Sequence, residues 1–322
     1  MKQIKRTIAA TALAGAVTIS LTACGAPAES QSSTEDDAVL NVAATTYPVY
    51  QLANLLVSES DQVDVQLVID QQISCLHDYT LTVNEMRILE NADVILMNGA
   101  GLEDFMMDAL KTSSAPIIDC SAGIDLLPYT GHEDHAAEKH GHSHYDPHIW
   151  LDPEHIDQML SNIAVGLNEA SEVISATDYE AKLTKISEKN DAWAQKWKQR
   201  FATLPEAQRN LITFHDGFAY LADAFDLHLL KSIEEEAGSE ASAKDITEIV
   251  DLVRQYNIPI IFVEENGSDA TAKAIQRETN VKIGTLSMLM SDNGTDLWTA
   301  MDQNLRTIYE GLSGEELPED AE

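Results

Sequence analysis

The chain has 322 residues, with 54 acidic side chains against 20 basic ones and a formal net charge of −34 at pH 7. So acidic a balance argues against nucleic acid as a partner, since proteins hold phosphates through Lys and Arg. It creates a negative potential that concentrates cations, although charge by itself serves solubility equally well.

In chain order, Lys2, Lys5 and Arg6 precede the uncharged run "TIAATALAGAVTISLTAC". A basic n-region, an apolar h-region and a small-residue end make a secretory signal. "LTAC", Leu21 to Cys24, resembles the lipobox of bacterial lipoproteins. That resemblance implies cleavage after residue 23 and acylation of Cys24; the alternative is an ordinary signal with an incidental Cys. Residues 24–37 are Ser-, Ala- and Asp-rich, bury little and read as a flexible tether. No later run approaches the ~18 apolar residues that span a bilayer. The expectation is a soluble extracytoplasmic body on a lipid anchor, long enough for two ordinary domains.

Within that body, "VLNVAA" reads as a strand, "VYQLANLLV" as a helix and "VDVQLVID" as a strand. Thr82 with Glu85 makes a capping-box pattern opening the helix "VNEMRILENA". Then come "DVILMNG" as a strand, "LEDFMMDALK" as a helix and "PIIDC" as a strand. A histidine-rich stretch, 131–147, interrupts this alternation before the helix "PEHIDQMLSNIAVGLNEA". Next, "DYEAKLTKISEKNDAWAQKWKQRFATL" has a sparse apolar stripe and predicts one helix of roughly 40 Å. A second series follows: "NLITF", "LHLLKSI", "IPIIFVE" and "VKIGTLS" as strands, alternating with helices, and "TDLWTAMDQNLRTIYEGL" closing. The fold class is α/β, with two Rossmann-like lobes, each a parallel sheet flanked by helices. The boundaries are 38–175 for the first lobe, 176–206 for the connector helix, 207–316 for the second lobe and 317–322 for an acidic tail.

Open α/β sheets bind ligands beyond the carboxyl ends of their strands. His77 follows the second strand, His215 follows "LITF", Glu264 ends "IIFVE", and His148 comes shortly after the first sheet. Three imidazoles and a carboxylate from both lobes are the composition of a Zn(II) site and of some Mn(II) or Fe(II) sites. A lone histidine at a strand end is more often a surface group. His155, in the first turn of a helix, and His228, inside a strand, fit that bland reading, and Glu265 reads as a surface charge. Cys75 and Cys120 allow one pairing outside the cytoplasm, either a disulfide or two buried thiols.

"HDYTLTVNEMRILENADVILMNGAGLEDFM", "DPHIWLDP", "ITFHDGFAYLADAF" and "IIFVEENGSDATAKAIQRETNVKIGTLSML" closely resemble the solute-binding lipoproteins of zinc and manganese ABC transporters, the zinc uptake branch above all. The resemblance covers nearly the whole body, in order. It implies a monomeric, two-lobed, non-enzymatic metal binder that delivers its ion to a membrane permease driven by an ATPase. It further implies that His77, His148 and His215 are ligands, and that Glu264 matches a carboxylate that ligates in manganese relatives. Ser287 stands where the family often has Asp, and Leu76 where it often has Pro or Glu. The fourth ligand is therefore open between Glu264, a water and a residue not identified; Asp292 is near but in a loop. With at most one carboxylate the set leans to zinc over manganese or iron. Binding needs neutral imidazoles, so affinity is expected to fall below about pH 6. Asp146 or Asp152 is a candidate partner fixing the His148 tautomer.

His132, His135, His140, His142 and His144 lie among Gly, Ser, Glu and Lys and cannot preset a geometry. They are expected to form a weak auxiliary metal loop, common at this point in the zinc branch, against the alternative of a solvated loop. A zinc hydrolase would also suit three histidines and an open position, but no motif places a base beside them. Adhesion has been suggested for surface lipoproteins of this family, and nothing in the sequence argues for a partner surface.

Overall fold

The structure is a computed structural model that describes residues 39–71, 76, 79–129, 145–172, 174–234, 241–265, 269–292 and 294–318. The side chains of His215 and Glu234 lie outside that description, as do the signal, Cys24, the tether and the end of the acidic tail.

The first lobe is built on β1 (Leu40–Ala44), β2 (Val63–Leu67), β3 (Val94–Met97) and β4 (Ile117–Asp119), in the order β2-β1-β3-β4 with every pair parallel. The chain reverses its direction of winding between β1 and β3, the place where such sheets open a crevice. Helix α1 (Tyr47–Val57) takes Pro48 in its first turn, where a missing N–H costs nothing. Helix α2 (Val83–Asn91) carries the reciprocal Thr82–Glu85 capping box that its sequence predicts. The helix expected over 102–111 starts late. A 3-10 turn, Asp104–Met106, leads into α3 (Met107–Thr112). Gly99, Ala100 and Gly101 all have positive φ, so a right-handed helix cannot begin before them. Likewise β2 ends at Leu67 rather than at Asp70.

Helix α4 (Pro153–Ala170) is capped by Asp152, whose carboxylate accepts the Glu154 N–H. It buries Ile156, Met159, Leu160, Ile163, Ala164 and Leu167, one stripe at helical spacing. Gly166 is required by contact: a Cβ there would lie 2.2 Å from Ile118 Cδ1 of β4. Helix α5 (Ala176–Phe201) starts from the Ser175 cap and runs for 26 residues.

The second lobe comprises β5 (Asn210–His215), α6 (Ala219–Ala224), β6 (His228–Glu234), α7 (Ala243–Tyr256), β7 (Ile260–Glu264), α8 (Ala270–Thr279), β8 (Lys282–Leu286) and α9 (Leu297–Ser313). Its strands bond as two parallel pairs, β5 with β6 and β7 with β8, and β5 lies beside β7. Among the described residues no helix is long and apolar enough to cross a membrane.

One apolar core runs through both lobes, from Val42 and Leu52 through Trp150, Leu160, Trp197 and Phe201 to Phe225, Met301 and Ile308. Separate clusters fill the outer faces of the two sheets. Polar bonds tie α5 to both sides. Asn190 Nδ2 donates to the Pro153 carbonyl at 2.7 Å and to Asp157 at 3.0 Å, while its Oδ1 accepts the Trp298 indole N–H at 3.1 Å. Trp193 and Trp197 both donate to Asp302 of α9.

Candidate metal centre

His148 opens a 3-10 turn, Ile149–Leu151, whose three side chains are wholly buried. "DPHIWLDP" thus folds as an apolar plug with His148 at its entrance. The His148 ring is only 6% exposed. Its Nδ1 lies 2.6 Å from Asp146 Oδ1, and its backbone N–H donates to that same oxygen at 2.9 Å. A carboxylate only accepts, so Nδ1 carries the proton and Nε2 keeps the lone pair that a metal requires. Trp150 stands edge-on to the imidazole, with ring centroids 5.3 Å apart.

The second lobe holds this plug from several sides. Trp150 Nε1 donates to the Met288 carbonyl, just past β8, at 2.9 Å. The Tyr220 hydroxyl of α6 donates to the Asp146 carbonyl and accepts the Leu127 N–H, both at 2.9 Å. Pro128 and Tyr145 form an antiparallel bridge, and Asp146 N–H donates to the Leu127 carbonyl. The base of the histidine-rich segment is therefore clamped. Gly217 lies against the His148 ring. A Cβ at Gly217 would stand 3.0 Å from His148 Cε1, 3.1 Å from Nδ1 and 2.7 Å from Met288 Cε. Gly217 lies two residues beyond His215, the last residue of β5.

Glu264 is the last residue of β7, 4% exposed, in register with Leu286 of β8. Glu265 is exposed, as its sequence context suggests. Ser287 accepts the Leu289 N–H on its hydroxyl, and its backbone is gripped from both sides by Asn304 of α9. Ser287 therefore caps a local turn. Asp292 accepts the Tyr47 hydroxyl at 3.2 Å, a bond from the second lobe to the start of α1. Burial, and then the Asp292 charge, push the Tyr47 phenol up to about 12, so it remains a donor at neutral pH.

His77 lies outside the described residues, while Leu76 and Tyr79 nearby in the chain are described. Leu76 is buried, and its carbonyl accepts the Tyr79 N–H; Tyr79 in turn donates to Glu85 at 2.6 Å. His132, His135, His140, His142 and His144, with Cys75, also fall outside the description. Cys120 is a fully buried free thiol, and burial raises its pKa well above the ordinary value. His155 is half-buried against Tyr220, and His228 is exposed. Among the described residues, no three His, Cys, Asp or Glu groups converge on one point.

A buried support behind His148 escaped the sequence reading. Asn98, at the end of β3, donates to the Pro147 carbonyl at 3.0 Å, and Glu103 accepts the N–H groups of Asn98 and Gly99. "NGAGLE" carried the signal in its paired glycines after a strand. Gly217 was likewise visible only as the third residue of "HDG".

Residues 42–311 match the sequence model of the family described as zinc-uptake complex component A, periplasmic, ZnuA. The chain belongs to this family. Its members are binding components of uptake systems and not enzymes. The zinc-binding protein AdcA of Streptococcus pyogenes is 28% identical over 291 residues, 84% of this chain and 55% of that protein. The zinc-binding lipoprotein AdcA of Streptococcus pneumoniae is 27% identical over 292 residues, 84% of this chain and 56% of that one. The chain thus spans about half the length of the curated relatives it matches. A laminin-binding adhesin of Streptococcus agalactiae superposes with a TM-score of 0.73 at 26% identity, over 85% of this chain and 99% of the adhesin. Two parallel-stranded lobes are the architecture expected from that family.

Proposed function

We propose that the protein captures zinc outside the cytoplasm and hands it to an ABC permease driven by an ATPase, while Cys24 anchors it to the membrane through lipid. His77, His148 and His215 are the ligands in this reading. Glu264 or a water completes the coordination, because Ser287 is occupied in its own turn. The observation that carries the reading is the seating of the His148 ring on Gly217, two residues beyond His215. It brings a first-lobe imidazole against the strand end that bears a second-lobe imidazole. The Asp146 bond supports it by setting the tautomer, and the names of the AdcA relatives support zinc.

Zinc suits three imidazoles bound at about 2.0–2.1 Å with one further donor, whereas manganese would draw more oxygen. Equilibrium dialysis against equal zinc, manganese and iron, followed by elemental analysis, tests the choice. One zinc per chain, lost in His148→Ala and His215→Ala, is expected. Preferential retention of manganese or iron would overturn zinc as the cargo.

A further inference from the structure

Behind the Pro147 carbonyl sits a carboxylate with no role in coordination. Glu103 is 2% exposed. Its Oε1 accepts the Thr45 hydroxyl at 2.6 Å and the Asn98 N–H at 2.8 Å, and its Oε2 accepts the Gly99 N–H at 3.0 Å. These donors come from the end of β1 and the turn after β3, the two strands that flank the crevice. Burial outweighs the three bonds and pushes the Glu103 carboxyl up to about 7. Burying a carboxyl is costly, and here three donors from two segments are directed at it.

Two of those donors belong to the turn that follows β3. Gly99 and Gly101 have φ of 81° and 89°, and Ala100, with a side chain, is held at 53°. Such a conformation persists only where the surroundings impose it. The turn places Asn98 so that its Nδ2 donates to the Gly99 carbonyl at 3.1 Å and to the Pro147 carbonyl at 3.0 Å. Pro147 is covalently joined to His148. A continuous chain of bonds therefore runs from Thr45 through Glu103 and Asn98 to the residue beside the imidazole.

We propose that Glu103 and Asn98 are positioning residues for His148, Glu103 by imposing the 98–101 turn and Asn98 by anchoring the Pro147 carbonyl. The role rests on His148 being a metal ligand. Preorganisation of this kind is worth about 10–100-fold in metal affinity where it has been removed around other metal sites.

The test uses Glu103→Gln and Asn98→Ala in the otherwise unchanged chain. Asn98→Ala keeps the backbone N–H that Glu103 accepts and removes the side-chain bonds to the Pro147 and Gly99 carbonyls. Zinc affinity is read by competition with a chromophoric chelator, and the His148 tautomer of the metal-free protein by imidazole 15N NMR. Each variant is expected to weaken zinc by about 10–100-fold and to turn the single Nδ1–H tautomer into a mixture. The double variant should be no weaker than the weaker single one, because both act along one chain of bonds. Unchanged affinity in Asn98→Ala would overturn the proposal even if Glu103→Gln failed to fold. Weakened binding with unaltered His148 signals would overturn it too. A parent chain that bound no zinc would instead sink the metal reading, and the tautomer of the metal-free variants would still judge the positioning.

Discussion

One oxygen of Asp146 bonds His148 twice, taking the ring Nδ1 at 2.6 Å and the backbone N–H at 2.9 Å. The Asp146 backbone is itself held by Tyr220 and Leu127, so the imidazole is aimed by a residue anchored to the second lobe and to the strand-end loop. Asp146→Asn would offer an amide whose N–H₂ can face Nδ1, which favours the opposite tautomer. We expect zinc affinity to fall about 10–100-fold, with the metal-free protein still folded. Chelator competition measures it, and an unchanged affinity would show that the bond does not set the ligand.

Gly217 admits the His148 ring by having no Cβ. In Gly217→Ala the new methyl would stand 3.0 Å from the ring and 2.7 Å from Met288 Cε. The Met288 methyl can swing aside, but the imidazole is held by Asp146. Overpacking costs about 1–3 kcal/mol, and here it falls on the contact between lobes. A loss of about 5–150-fold in zinc affinity follows if the strain is felt only when the lobes meet. Adding Met288→Ala should recover little of it. Full recovery in that double variant would locate the clash in the methionine instead.

Much of the fold was legible because its periodicities are strong. The α4 stripe, the Thr82–Glu85 box and the β7 run "IIFVE" each name their own element. The boundaries that moved did so for tertiary reasons. Glycine-rich residues 99–101 delay α3 by adopting positive φ, and β2 stops where its pairing with β1 ends at Ala44. Of the candidate site, "DPHIWLDP" and the end of "IIFVE" single out His148 and Glu264, and both are buried there; their role as ligands is the proposal that dialysis tests. Asp146 was foreseen as a partner only by proximity. Asn98, Glu103 and Gly217 were not seen, because their effect depends on contacts far away in sequence, 49 residues in the case of Asn98 and Pro147. Ser287 looked like a lost ligand; Asn304 and the Leu289 N–H account for what occupies it.

Asn190 joins α5 to both lobes. Replacing it with Ala leaves the Trp298 indole N–H and the Pro153 carbonyl without the partner each now has. Each orphaned buried group costs about 1–3 kcal/mol. Metal-free Asn190→Ala should therefore unfold about 2–6 kcal/mol more readily in urea. The zinc affinity of the folded fraction should change little, since Asn190 bonds Pro153, Asp157 and Trp298 but neither His148 nor its partner Asp146. A change in affinity without a change in stability would show that α5 controls the site directly.

Glu103 makes stability depend on pH in a stated direction. Its folded carboxyl titrates at about 7, against an ordinary value of 4.5. The folded protein thus holds this proton more tightly than the unfolded chain. The stabilisation is complete below about pH 4.5 and is lost as pH rises to about 7. Glu103→Gln does not titrate, and other carboxyls cancel in the difference. The stability of the parent relative to Glu103→Gln should therefore fall across this window and level off above it. Urea midpoints of both metal-free proteins measure the gap; a gap that stays constant would mean that Glu103 is not raised.

The histidine-rich segment can be separated from the site by deletion, because its base is already closed. Pro128 bridges Tyr145, Leu127 accepts the Asp146 N–H, and Tyr220 bonds both Leu127 and Asp146. These bonds stand outside residues 131–144 and fix the approach to His148 without them. Removing 131–144 deletes His132, His135, His140, His142 and His144 and keeps Tyr145 onward. Their neighbours in sequence are Gly, Ser and charged residues, and any site they form is expected to be the weaker one. Calorimetric zinc titration is expected to show one tight and one weaker event in the full chain and only the tight event in the deletion. Loss of the tight event would mean that the segment supplies a ligand to the primary site, and the division between His148 and the other five would fall.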